Sequence, residues 1–202
     1  MKCSMKRSLI AVAVCFAMSA AAQAQQGAAV ETQRDANQQQ RIEQGLQSGE
    51  LNTKEAGRLE RQEQVVEKQE AHAMKSGGTL TPQEQARINR EQNQVSRNIY
   101  REKHDAQKGD PNSASSRRLQ ADVQRNANQQ QRIANGVKSG ELTNREAGHL
   151  EAGQARVSRN EANAAADGHV GAGEQARVQG RENNQSQRVY KKKHNAKERG
   201  GG

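Results

Sequence analysis

The large apolar residues of this chain are few, but they recur at helical intervals. Ile42 and Leu46 form one pair; Leu59, Val66 and Ala73 recur every seven residues; Ile88, Val95 and Ile99 make a third stripe. Spacings of three, four and seven put such residues on one face of an α-helix. The intervening positions are mostly Ala, Glu, Gln, Arg, Lys and Leu, all strong helix formers. Each stripe holds only about one large residue per two turns, so a three-helix unit built from them has a thin core and marginal stability.

Four turns separate the stripes. Gly49-Glu50-Leu51-Asn52 leads to Glu55, Gly78-Thr79-Leu80-Thr81 to Glu84, Gly140-Glu141-Leu142-Thr143 to Glu146, and Gly168-His169-Val170-Gly171 to Glu174. The glycine suits a positive φ just past a helix end. Asn52, Thr81 or Thr143 then caps the next helix, and the Glu three residues later completes a capping box. Pro82 fits the first helical position, where no backbone donor is needed. The turn ending in Gly171 is the weakest of the four, since glycine has no side chain to cap with. The predicted helices are 31–47, 53–75 and 82–106, then 117–138, 144–166 and 172–198.

The two sets of three are copies. Residues 34–60 match residues 125–151, and Glu84-Gln85-Ala86-Arg87 matches Glu174-Gln175-Ala176-Arg177. Ser96, Tyr100, Lys103 and His104 match Ser186, Tyr190, Lys193 and His194 in the same register. A duplication of this length makes the repeat the unit of structure. The expected fold is all-α: two tandem three-helix units, 25–104 and 117–202, joined by a flexible Gly-, Pro- and Ser-containing linker at 105–116. The second unit ends in a basic tail.

The N-terminus changes the picture. Lys2, Lys6 and Arg7 precede an uncharged run from Ser8 to Ala22, and Ala22-Gln23-Ala24 has the small-x-small form of a signal peptidase site. Residues 1–24 are therefore predicted to be a cleaved signal peptide, with the mature protein periplasmic or secreted. The run is shorter than the ~20 apolar residues a membrane-spanning helix needs. Cys3, Cys15 and Phe16 all lie in it, so the mature chain is expected to have no thiol, no disulfide and no aromatic residues except Tyr100 and Tyr190. Loss of its three basic residues lowers the formal net charge from +9 to +6.

Candidate chemistry is sparse. The Gly-x-apolar-x-x-x-Glu spacing of the turns is that of the second half of an EF-hand loop. However, the earlier ligand positions hold Gln44, Leu46 and Ser48, or Ala73, Lys75 and Gly77, or Asn135, Val137 and Ser139, or Asn163, Ala165 and Asp167. No turn offers more than two carboxylates, so the Glu is expected to cap and not to ligate calcium. Of the five histidines, His104 and His194 hold equivalent places near the end of each unit. They are the candidate ligands for Cu, Ni or Zn, although a histidine at a helix C-terminus also serves the dipole. On the third helix, Arg90, Arg97 and Arg101 lie opposite the apolar stripe with Arg87 at its edge. The second copy carries Arg188, Lys191, Lys192 and Lys193. Such faces suit anionic polymers. With almost no aromatics there is no stacking platform, so specific nucleic-acid recognition is not expected. Nucleophile elbow, phosphate loop and paired acid–base motifs are all missing from the sequence; neither catalysis nor a cofactor is predicted.

The pattern of Ser139-Gly140-Glu141-Leu142-Thr143, Glu146-Ala147, Leu150-Glu151, Gln175-Ala176-Arg177, Ser186, Tyr190, Lys193 and His194 resembles a group of small exported helical proteins of Gram-negative bacteria that carry no assigned function. Here it occurs twice. Leu80-Thr81-Pro82-Gln83-Glu84-Gln85 is also similar to a motif of the periplasmic helical stress chaperones. Together these imply a non-enzymatic exported binding or structural protein, with envelope-stress or interaction duties and other envelope proteins as partners. The alternatives are a periplasmic metal-binding protein (Cu, Ni or Zn, or weak calcium) and a binder of anionic polymers through its basic helices.

Overall fold

The computed structural model describes the backbone of residues 7–77 and 80–195, and side chains within 26–76 and 80–195. The expected signal peptide, residues 1–24, therefore lies outside the described side chains, and Gly78, Thr79 and residues 196–202 lie outside the described residues altogether. Among the described residues six helices follow one another: α1 Arg7–Ser48, α2 Thr53–Gly77, α3 Pro82–Lys103, α4 Ala114–Lys138, α5 Asn144–Ala164 and α6 Ala172–Lys193. Among the described residues there is no strand, and no helix is long and apolar enough to cross a membrane.

The turns have the expected chemistry. Gly49, Gly140 and Gly168 adopt φ of 73°, 76° and 91°. Thr81 Oγ1 accepts from the Glu84 amide at 3.2 Å while the Thr81 amide donates to Glu84 Oε2 at 2.9 Å. Thr143 and Glu146 repeat this at 3.2 and 3.0 Å, and Asn52 and Glu55 at 3.0 and 2.9 Å. At the fourth turn only the return bond forms, from the Gly171 amide to Glu174 Oε2 at 2.9 Å.

The two copies do not stand apart. They interleave antiparallel, α2 along α5 and α1 along α4, with α3 and α6 packed on the outside of their own copies. A Cβ placed on Gly57 at the start of α2 would meet Ala165 Cβ past the end of α5 at 2.7 Å; one on Gly148 at the start of α5 would meet Met74 Cβ near the end of α2 at 2.8 Å. Glycine at both places lets the helices approach this closely. Of the expected linker, residues 114–116 form the first turn of α4. The rest lies against the α1–α2 turn, with the Gly109 amide donating to Gly49 O at 2.9 Å. The thin stripes explain the difference: neither copy has enough apolar surface for a core of its own, so the two combine theirs. One apolar cluster joins Ile42, Leu46, Leu59 and Ile99 to Leu119, Val123 and Val178; the other joins Met74 and Ile88 to Ile133, Val137, Leu142 and Val189. These clusters fill the two ends of the bundle. Its middle is filled by something else.

Candidate metal centre

On α2, Glu60, Glu63, Glu67 and Glu70 follow one another at spacings of three, four and three, and all are fully buried. Leu59, Val66 and Ala73 mark one edge of the inward face; Glu63 and Glu70 sit four residues after Leu59 and Val66, where a helical core would place apolar residues. Glu31 and Asp35 on α1, Asp122 on α4, Glu151 and Glu161 on α5 and Glu182 on α6 are buried as well. The mid-bundle core is therefore a zone of carboxyl groups running between the two apolar ends.

Duplication explains its shape. Glu60 corresponds to Glu151, Glu70 to Glu161, Glu31 to Asp122, and Asp35 to Asn126. Carboxylate oxygens of Asp35, Glu70 and Glu151, drawn from three helices and from both copies, lie within 4.8 Å of one another. Their counterparts are Asn126, Glu161 and Glu60. There the Asn126 amide nitrogen donates to Glu161 Oε2 at 2.8 Å, so one half of the zone has an amide where the other has a third acid.

Amides are the main donors throughout. Gln92 Nε2 lies 2.9 Å from Asp35 Oδ1 and 2.8 Å from Glu70 Oε1. Gln130 Nε2 reaches Glu67 Oε1 at 3.0 Å and Glu151 Oε2 at 3.1 Å, and Gln39 Nε2 reaches Glu60 Oε2 at 3.0 Å. These donors do not suffice. No amide or hydroxyl donor reaches Asp35 Oδ2, Glu70 Oε2, Glu151 Oε1 or either oxygen of Glu63, and the Asp35 and Glu70 carboxyls bond to each other. The carbonyl oxygens of Gln92, Gln130 and Gln39 are also unpartnered.

Basic residues enter only at the margins. Arg34 approaches Glu31 at 3.8 Å and Arg125 pairs with Glu182 at 3.1 Å. Among the described residues, none of Asp35, Glu60, Glu63, Glu67, Glu70, Glu151 and Glu161 takes part in an ion pair. An ionised carboxylate in such a place is costly, so the group holds a proton or a cation. Burial is the first cause of every shift here. It pushes Glu60 up to about 8 and Glu182 up to about 9, with the neighbouring acids adding repulsion. Asp122 rises to about 7 against the opposing pull of Arg125. Burial and mutual repulsion hold Glu63, Glu67, Glu70, Glu151 and Glu161 well above the carboxylate range.

The residues singled out from sequence lie elsewhere. His104 and His194 cap α3 and α6, each stacked on the tyrosine four residues earlier, at centroid distances of 4.1 and 4.0 Å. Lys103 beside His104 pairs with Glu50 in the α1–α2 turn at 3.1 Å, and Lys193 beside His194 pairs with Glu141 in the α4–α5 turn at 3.2 Å. Because α2 and α5 run antiparallel, these turns lie at opposite ends of the bundle. A helix of 25 residues separates them by roughly 37 Å, so the two histidines are not brought together. Arg87, Arg90, Arg97 and Arg101 are exposed on α3, with Arg87 pairing with Glu91 at 3.5 Å. Arg188 and Lys191 are exposed, whereas Lys192 and Lys193 are half-buried and engaged with Glu146 and Glu141.

The carboxyl zone escaped the sequence reading because glutamate is a good helix former and usually marks a solvated face. A signal was there: the seven-residue spacing of Glu63 and Glu70, in register with Leu59, Val66 and Ala73. No family model, curated protein or solved structure matches the chain.

Proposed function

We propose that this is an exported, non-enzymatic cation-binding protein whose bundle core takes a hard multivalent cation between Asp35, Glu70 and Glu151 in exchange for protons. The observation that carries the reading is the convergence of these three fully buried carboxylates, each with one oxygen that no amide or hydroxyl donor reaches, Asp35 and Glu70 close enough to share a proton. The donor set is entirely oxygen, with Glu63 and Glu67 adjacent, and favours calcium, manganese or a trivalent ion over copper, nickel or zinc. The amides of Gln92 and Gln130 belong to the same chemistry: turning either about its last bond exchanges its donor for its carbonyl oxygen. A proton-filled zone bridged by amide donors thus becomes a cation-filled one bridged by carbonyls. Export rests on the signal-like residues 1–24 and on the resemblance to small exported proteins.

The test is isothermal titration of the chelator-treated protein with Ca²⁺, Mn²⁺ and La³⁺ at pH 8 in weak buffer, with proton release followed by an indicator dye. Binding accompanied by proton release, and abolished in Glu70→Gln/Glu151→Gln, is expected. Absence of binding by all three ions would reduce the zone to a protonated hydrogen-bond network and end the proposal.

A second reading, anionic-polymer binding, is favoured by a paired feature. One cleft is lined by Arg41, Ser96, Arg97, Tyr100 and Arg101, and the corresponding one by Arg132, Ser186, Tyr190 and Lys191. Salt-sensitive retention on heparin, lost in Arg97→Ala/Arg101→Ala, would support it.

A further inference from the structure

We infer that the α1–α2 turn carries a separate calcium site formed by Glu55, Glu102 and Asp105, whose place in the second copy is taken by a lysine ammonium. It does not depend on the core site.

An oxygen from each of the three carboxylates lies within 4.8 Å of the others. Glu55 belongs to the turn, while Glu102 and Asp105 come from the end of α3 and just beyond it. Glu55 is buried, and its two oxygens have different lives: Oε2 accepts from the Asn52 amide at 2.9 Å as the return half of the capping box, and Oε1 has no partner. In the second copy the equivalent oxygen faces a cation. Glu146 uses Oε2 for the same bond to Thr143 at 3.0 Å, and its Oε1 faces Lys192 Nζ at 3.7 Å. Lys192 and Asn195 stand at the positions of Glu102 and Asp105. One copy thus has an acid, an ammonium and an amide where the other has three acids.

The charges around the three acids do not fill the gap. Lys103 is committed to Glu50 at 3.1 Å, and His104 is turned to Tyr100 O at 2.7 Å. Asp105 is held in place by Gln107, whose backbone amide donates to Oδ1 at 2.8 Å and whose side-chain amide donates to Oδ2 at 3.3 Å. Burial raises the Glu55 pKa, and Asp105 and Glu102 add to the rise. Glu102 and Asp105 are half-buried, so water can complete the six to eight oxygen ligands that calcium takes. Three carboxylates with several waters correspond to the weak end of the calcium range, a Kd of about 10⁻⁴–10⁻³ M.

The calcium-loop resemblance of the turn therefore points to a different arrangement. The early loop positions supply nothing, and the missing carboxylates come from nearly fifty residues later in the chain.

Two exchanges between the copies test the site in the full-length mature chain. Glu102→Lys/Asp105→Asn gives the first copy the residues of the second, and Lys192→Glu/Asn195→Asp does the reverse. Calcium titrations are run in the parent and in the Glu70→Gln/Glu151→Gln background, which separates this site from the core. The expected result is one weak calcium fewer in the first exchange, one more in the second, and matching changes in the calcium-induced rise in Tm. An unchanged calcium count in Glu102→Lys/Asp105→Asn, in both backgrounds, would overturn the inference. Loss confined to the Glu70→Gln/Glu151→Gln protein would assign all calcium to the core and overturn it equally.

Discussion

Asn126 donates its amide to Glu161 at 2.8 Å from the place in the second copy that Asp35 holds beside Glu70 in the first. This one difference makes the two halves of the core unequal. A bundle with Asp35 at both places would gather six acids in two equivalent groups of three. The chain has three acids in one group and two acids with a neutral donor in the other.

Exchanging these residues should exchange their properties. Asp35→Asn is expected to stabilise the cation-free protein at pH 8 and to weaken cation binding by at least tenfold. Asn126→Asp removes a donor to both Glu161 and Ser158. It is expected to cost about 1–3 kcal/mol at the same pH and to raise the cation count by one. Urea unfolding and titration calorimetry on the same preparations read both quantities. Equal stability of the two variants at pH 8 would show that the buried acids do not repel one another.

The pH dependence of the cation-free protein should run opposite to ordinary acid denaturation. Glu60 moves from an ordinary 4.5 to about 8 on folding, and Glu182 to about 9. Between the unfolded and folded values the native state binds more protons than the unfolded one, so stability falls as pH rises. The contribution is complete below about pH 4.5 and is lost as pH climbs through 8 to 9, by up to about 1.4 kcal/mol per pH unit for each such group. Thermal melts in the presence of a chelator should therefore give a higher Tm at pH 5 than at pH 8.5. Saturating cation should remove the part of that difference that comes from Asp35, Glu70 and Glu151 and leave the part that comes from Glu60 and Glu182.

Glu63 offers the sharpest stability test. Both its oxygens are buried and unpartnered, and it stands in the register of a core residue. Glu63→Leu should raise stability at pH 7.5 by about 1–3 kcal/mol, since replacing an uncompensated buried polar group with an apolar one of similar size removes its desolvation cost. Binding should weaken in the same protein, a trade of function for stability. Destabilisation on this substitution would mean that Glu63 has found a partner in solution.

Elements whose causes are local were legible in the sequence. The four turns rest on contacts three residues apart, such as Thr81 with Glu84, and the helices followed from their own composition, except that α1 begins at Arg7 and not at residue 31. The packing of copy on copy was less so, because Gly57 and Gly148 carry no local sign of the Ala165 and Met74 that lie against them. The carboxyl zone needed more still. Glu70 and Glu151 are over eighty residues apart, and only the antiparallel pairing of α2 with α5 makes them neighbours. His104 and His194 show the converse: equivalence in a duplication places residues alike in each copy, and antiparallel pairing of the copies along a long bundle carries them to opposite ends.

That pairing leads to a last prediction. Each apolar cluster draws on both copies, so residues 25–108 alone would leave Ile42, Leu46, Leu59 and Ile99 without Leu119, Val123 and Val178. At low micromolar concentration this fragment should be markedly less helical per residue than residues 25–202. At higher concentration it can complete the bundle with a second copy of itself, burying the same apolar faces in the same antiparallel arrangement. Such a dimer would bring Asp35, Glu63, Glu67 and Glu70 into the core twice, where the natural partner offers Asn126, Gln154, Ser158 and Glu161 in those positions. Self-association should accordingly be favoured at pH 5 or by added cation and opposed at pH 8 with chelator. Circular dichroism with sedimentation velocity at the two pH values checks this. A fragment that stays helical and monomeric under both conditions would show that one copy suffices for a fold, and that the carboxyl zone is incidental to how the copies meet.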